Sequence, residues 1–77
     1  MTRPFLEIIA LQENYVVVKL IHSQFDNARK LAINGIDVPL AIGDKFYHIE
    51  HGYFDLYDKD DQFKAFGIRC KERFIKE

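Results

Sequence analysis

The sequence predicts a small all-β domain, a strongly bent barrel or sandwich of five to seven short antiparallel strands. Three observations lead there. Short runs rich in β-branched and aromatic residues recur along the chain, turn signals interrupt them every 8 to 12 residues, and Asn34-Gly35 lies between two alternating aliphatic runs. Asn-Gly favours a tight hairpin because a type I′ turn needs positive φ at both central residues, which Asn tolerates and Gly adopts freely. With the turn placed there, residues 31–42 (LAINGIDVPLAI) form a hairpin with Leu31, Ile33, Ile36, Val38, Leu40 and Ile42 on one buried face.

Residues 4–11 read as a strand with Phe5, Glu7, Ile9 and Leu11 on one side and Leu6, Ile8 and Ala10 on the other. Gln12-Glu13-Asn14 is a polar break of hairpin-loop length. Residues 15–21 (YVVVKLI) are the richest β-forming run, with Val16, Val18 and Leu20 inward. Residues 23–30 (SQFDNARK) are ambiguous. Phe25, Ala28 and Ala32 have helical spacing, and Asn34-Gly35 also makes a good helix C-cap. An α+β fold with one short helix at about residues 24–33 is therefore the alternative.

Gly43-Asp44 opens a turn into a strand at 45–51, and Gly52 separates it from another at 53–57. In the latter Phe54 and Leu56 face in and Asp55 faces out. Residues 58–62 (DKDDQ) form a charged turn. Residues 63–70 close the set, with Phe66, Ile68 and Cys70 alternating inward and Gly67 marking a bulge or tight bend. Residues 71–77 continue that strand or form a final turn anchored by Phe74 and Ile75. SH3-like, Sm-like or OB-like barrels are the natural solutions at this length.

Seventy-seven residues make one domain, residues 1–77, near the lower size limit for a single hydrophobic core. A lone cysteine, Cys70, rules out an internal disulfide. Apolar residues at 48% and aromatics at 14% imply either a core dense in rings or apolar surface shared with a second copy, so a homo-oligomer is in view. The net charge of −1 argues against a general binder of nucleic acid or anionic membrane. Charged residues interrupt the N-terminal apolar stretch, and no run reaches the roughly 18 apolar residues of a membrane span. A cytoplasmic location is the expectation.

Catalytic signatures are missing: there is no nucleophile elbow, Walker loop or HExxH, so the expectation is a non-enzymatic protein without a cofactor. His48 and His51 flank Glu50, but residues three apart on a strand face opposite sides. Both imidazoles meet one metal only if Gly52 bends the chain, and no metal is expected. Arg69-Cys-Lys-Glu-Arg73 resembles the RxxxR clamp that PilZ domains place on a cyclic-dinucleotide phosphate. Here it follows the strands instead of preceding them, and the D/NxSxxG partner motif has no counterpart.

Tyr47, Tyr53 and Tyr57 are harder to bury than phenylalanines, because each hydroxyl wants a hydrogen-bond partner. Beside Asp55, Asp58 and Asp60 they describe an aromatic and acidic face suited to a protein partner, with a sheet edge as the other docking element. That non-enzymatic interaction module is the leading expectation. A single-stranded nucleic-acid binder is the alternative, with the tyrosines stacking on bases and Lys45, Lys64 and Arg69 meeting phosphates. A small-anion or cyclic-dinucleotide sensor through Arg69 and Arg73 is the weaker one.

Overall fold

A computed structural model describes residues 4–21 and 28–75. These residues form six strands: β1 (Phe5–Leu11), β2 (Tyr15–Ile21), β3 (Ala28–Ala32), β4 (Lys45–His48), β5 (Tyr53–Tyr57) and β6 (Phe63–Arg69). A 3-10 helix, Lys71–Arg73, follows β6. The strands form one antiparallel sheet in the order β3-β2-β1-β4-β5-β6. No helix among the described residues is long and apolar enough to cross a membrane.

Alternation decides which side chains meet. Leu6, Ile8, Val16, Val18, Leu31, Phe46, Phe54, Leu56 and Cys70 form one buried cluster on the inner face. The β1–β2 hairpin closes through the Gln12 amide on the Tyr15 carbonyl at 2.9 Å. Its register slips between Ile8 and Ala10, so Ile9 and Ala10 together oppose Val17. That bulge turns Ile9 to solvent at 40% exposure while Ile8 stays fully buried.

Asn34-Gly35 makes a turn but not a hairpin. The Ile36 amide bonds the Ile33 carbonyl at 3.1 Å, and Gly35 has φ +82°. Asn34 does not share that positive φ, so the turn has the type II pattern and not type I′. A type II turn splays its flanking strands instead of matching their twist. Pro39, in the middle of the expected second arm, also lacks an amide to donate. The arm therefore leaves β3 and crosses to β1. The Gly43 amide bonds the Ile8 carbonyl at 2.8 Å, and the Ile8 amide bonds the Asp44 carbonyl at 2.9 Å. Ile33, Val38 and Leu40 still pack on the core, but Ile42 is 60% exposed.

The helical alternative also fails where it can be seen. Residues 28–32 pair with β2 from Tyr15↔Ala32 to Lys19↔Ala28. Ile33 begins the 33–36 turn, and residues 24–27 of that expected helix, with His22, lie outside the described residues.

After β6 the chain returns to the first edge of the sheet. Phe74 bridges Leu31, and the Ile75 amide bonds the Lys30 carbonyl at 3.0 Å. The Arg73 guanidinium donates to the Asn34 and Arg69 carbonyls, fastening the 34–35 turn to this segment.

Two glycines separate space from conformation. Gly52 has φ +81°, and a Cβ there would sit 2.5 Å from the Lys71 Cβ. Gly67 has φ +69°, with nothing within 4 Å of the same position. Gly67→Ala is expected to lose about 1–2 kcal/mol, the strain of a left-handed residue alone. Gly52→Ala should lose more in urea unfolding; equal losses would mean that crowding by Lys71 has no weight.

Candidate functional site

The outer face of β4, β5 and β6 carries the residues of interest, and register places them in rows. Lys45 on β4 opposes Tyr57 on β5, which opposes Phe63 on β6. Tyr47 opposes Asp55 in the next row, and Tyr53 opposes Arg69 in the third.

β6 does not alternate simply. Tyr57 pairs with Phe63 but Leu56 pairs with Ala65, which makes Lys64 an extra residue. Leu56 pairs with Ala65 but Phe54 pairs with Ile68, so Phe66 and Gly67 together oppose Asp55. Between them the two bulges exchange the facings of Ala65 and Phe66. Ala65 packs on the core, whereas Phe66 is 78% exposed. The expected inward position of Phe66 is thus corrected. The alternation from Ile68 and Cys70 does not carry through Gly67, whose positive φ breaks it.

The result is an arc of rings. Tyr47 and Tyr57 meet edge to face at 5.4 Å, Tyr57 and Phe63 at 5.5 Å. Phe63 and Phe66 stack at 6.1 Å with planes 22° apart. At the β1 end, Phe5 lies 5.2 Å from Tyr47, with the Lys45 ammonium also 5.2 Å from its ring. Tyr53 lies below the arc, covered by the Arg69 guanidinium at 5.7 Å.

The acidic residues divide by role. Asp58 is a turn former: its Oδ1 accepts the amides of Asp60 and Gln62, each at 2.8 Å. Asp60 is exposed at the tip of the same turn. Asp61, at φ +62°, accepts the Lys45 ammonium at 2.8 Å and the Tyr47 hydroxyl at 3.4 Å. The hydrogen bond from Lys45 holds the Asp61 carboxyl below its ordinary pKa, and the same bond raises Lys45. The carboxylate of Asp55, half-buried in the middle row, has no hydrogen bond or ion pair with any described residue.

The cations proposed for phosphate are committed within the fold. Lys64 donates to Asp44 Oδ2 at 2.7 Å and to the Pro39 carbonyl at 2.6 Å. Asp44 is 2% exposed and also accepts the Ala41 amide at 2.9 Å. Arg69 pairs with Glu72 at 3.0 Å. Arg73 belongs to the 3-10 helix, so the strand geometry that would set it on one face with Arg69 does not occur. Both nevertheless line one open concavity of about 350 Å³ with Gly35, Asp37 and Gly67.

His48 packs against Phe54 at 5.2 Å, and His51 occupies the following turn at φ +52°. Among the described residues no three His, Cys, Asp or Glu side chains are grouped to hold a metal ion. Cys70 is fully buried, and burial pushes its thiol up to about 12.

Asp44, Phe63 and Phe66 are the residues that sequence reasoning did not assign to these roles. Gly67 was the available signal for Phe66, and nothing local announces the Lys64–Asp44 pair, whose partners lie 20 residues apart. No protein-family model, curated protein or solved structure matches the chain.

Two outcomes follow from the buried groups. Lys64→Met strands the Asp44 carboxylate and should cost about 3–5 kcal/mol in urea unfolding. Adding Asp44→Asn should recover part of that loss; strict additivity would mean the two groups do not interact. Because the Cys70 pKa is raised on folding, its contribution is complete below the ordinary thiol pKa near 9 and lost as pH rises toward 12. Cys70→Ala should flatten the stability profile across that alkaline window, and an unchanged slope would contradict the assignment.

Proposed function

We propose that this chain is a non-enzymatic interaction module that docks a protein partner on the outer face of β4, β5 and β6. The observation that carries the reading is the stacked pair Phe63 and Phe66, at 54% and 78% exposure, continuous with Tyr57 and Tyr47. Burying a phenylalanine stabilises a fold by about 1.5–3 kcal/mol, and this strand forgoes that at Phe66 while turning the small Ala65 inward. Contiguous exposed apolar surface with a polar rim is characteristic of interaction sites, and aromatic residues supply most of their binding energy.

Charge supports a protein over a nucleic acid. Lys45, Lys64 and Arg69 each have a carboxylate partner, and Asp55 stands where a base would stack. The unpaired Cys70 thiol accords with a cytoplasmic setting.

Phe66→Ser and Tyr57→Ala, used as bait in capture from the native host, test the reading. Phe66 is exposed, so Phe66→Ser should keep the wild-type circular dichroism spectrum while losing the captured protein about tenfold or more. Full retention by both variants would eliminate this face. A molar mass that doubles with concentration, and reverts to monomer in Phe66→Ser, would assign the face to a second copy. Steeply salt-dependent binding of single-stranded oligonucleotides would favour the nucleic-acid reading instead.

A further inference from the structure

We infer that the docking face contains a subsite for an organic cation, an arginine side chain of the partner, with Asp55 as its counter-charge. The inference rests on the docking-face reading above and adds the chemistry of what is docked.

Asp55 occupies the centre of the outer face. Tyr47 opposes it on β4, the Phe66-Gly67 bulge opposes it on β6, and Tyr53 and Tyr57 precede and follow it on β5. The ring contacts from Tyr47 through Tyr57 and Phe63 to Phe66 run around it from one side to the other.

Asp55 is half-buried, and a carboxylate partly removed from water is stabilised by a neighbouring cation. Among the described residues, the cations Lys45 and Arg69 of the face are directed elsewhere. Lys45 is held by Asp61 at 2.8 Å, and Arg69 by Glu72 at 3.0 Å while covering Tyr53. Asp55 leaves a negative charge on the face, and on the adjoining turn Asp58 and Asp60 outnumber Lys59.

The chemistry complementary to a carboxylate ringed by aromatic faces is a delocalised cation. Ring faces attract positive charge through their quadrupoles, more strongly when water is displaced. A guanidinium satisfies both demands at once. It stacks flat on Tyr57 or Phe66 and offers a carboxylate two parallel N–H donors. An ammonium makes the same charge contact without the planar stack, which ranks arginine ahead of lysine. Phe63 and Phe66, further along β6, would then cover the apolar residues beside that arginine in the partner's chain.

The probe is an acetylated, amidated Gly-Gly-Arg-Gly-Gly peptide titrated into the ¹⁵N-labelled full chain by NMR. Its control is the same peptide with citrulline, the neutral isostere of arginine. The arginine peptide should shift the amides of Asp55, Tyr57 and Gly67, and citrulline should weaken binding about tenfold. Asp55→Asn should abolish the preference for arginine and leave the spectrum otherwise folded. Equal binding of both peptides, or a preference that survives Asp55→Asn, would overturn the cation subsite while the docking face stands. Shifts confined to other regions, or no shifts, would also overturn it. Loss of the docking face itself is read separately, from partner capture by Phe66→Ser.

Discussion

The buried Asp44 carboxylate is the constraint around which the rest of the molecule is arranged. It accepts the Ala41 amide and the Lys64 ammonium, and its own backbone carbonyl takes the Ile8 amide. Those bonds fix the end of the crossover from β3 and set β4 against β1 as an inner strand. They also account for the first bulge of β6, since the extra residue there is Lys64. An ion pair of this kind contributes little net stability relative to a well-packed apolar pair, but breaking one half is costly. Its value here is geometric: it ties a loop without strand structure to a strand at the far end of the sheet.

What the bulges do to β6 links this constraint to the exposed face. Without them, strict alternation from Phe63 would send Phe66 into the core and Ala65 to solvent. With both present, Ala65 packs inside and Phe66 lies outside, stacked on Phe63. Gly67, at φ +69° with open space around it, is required by the backbone conformation and not by crowding. The second bulge brings Ile68 back to the inner face, so the core loses only one large side chain. The face gains a continuous run of rings around the Asp55 carboxylate, which has no ion-pair partner among the described residues.

Much of this was legible in the sequence where local pattern and tertiary demand agree. YVVVKLI and YFDLY alternate cleanly and form β2 and β5 with the expected ends. Val16, Val18, Phe54, Leu56 and Cys70 are buried as alternation requires. The crossover was not legible, because Asn34-Gly35 suits more than one turn type and the choice depends on where residues 36–44 find their hydrogen-bond partners. Those partners, Ile8 and Lys64, are distant in sequence. The candidate face was half legible. Tyr47, Tyr57 and Asp55 follow from period-two alternation within single strands, whereas the outward Phe66 follows from two register shifts that only pairing with β5 reveals. The part that Asp58 plays in closing the β5–β6 turn, accepting the Asp60 and Gln62 amides, likewise emerges only from the three-dimensional arrangement.

The bulged β6 presents Phe66 and Phe63 to solvent while Phe46 and Phe54 stay enclosed. Ring-proton relaxation in the presence of a soluble paramagnetic agent reads this directly, residue by residue. Strong enhancement is expected at Phe66, less at Phe63, and near-complete protection at Phe46 and Phe54. A Phe66 ring as protected as Phe54 would mean that alternation runs unbroken through Gly67, and the proposed face would not exist.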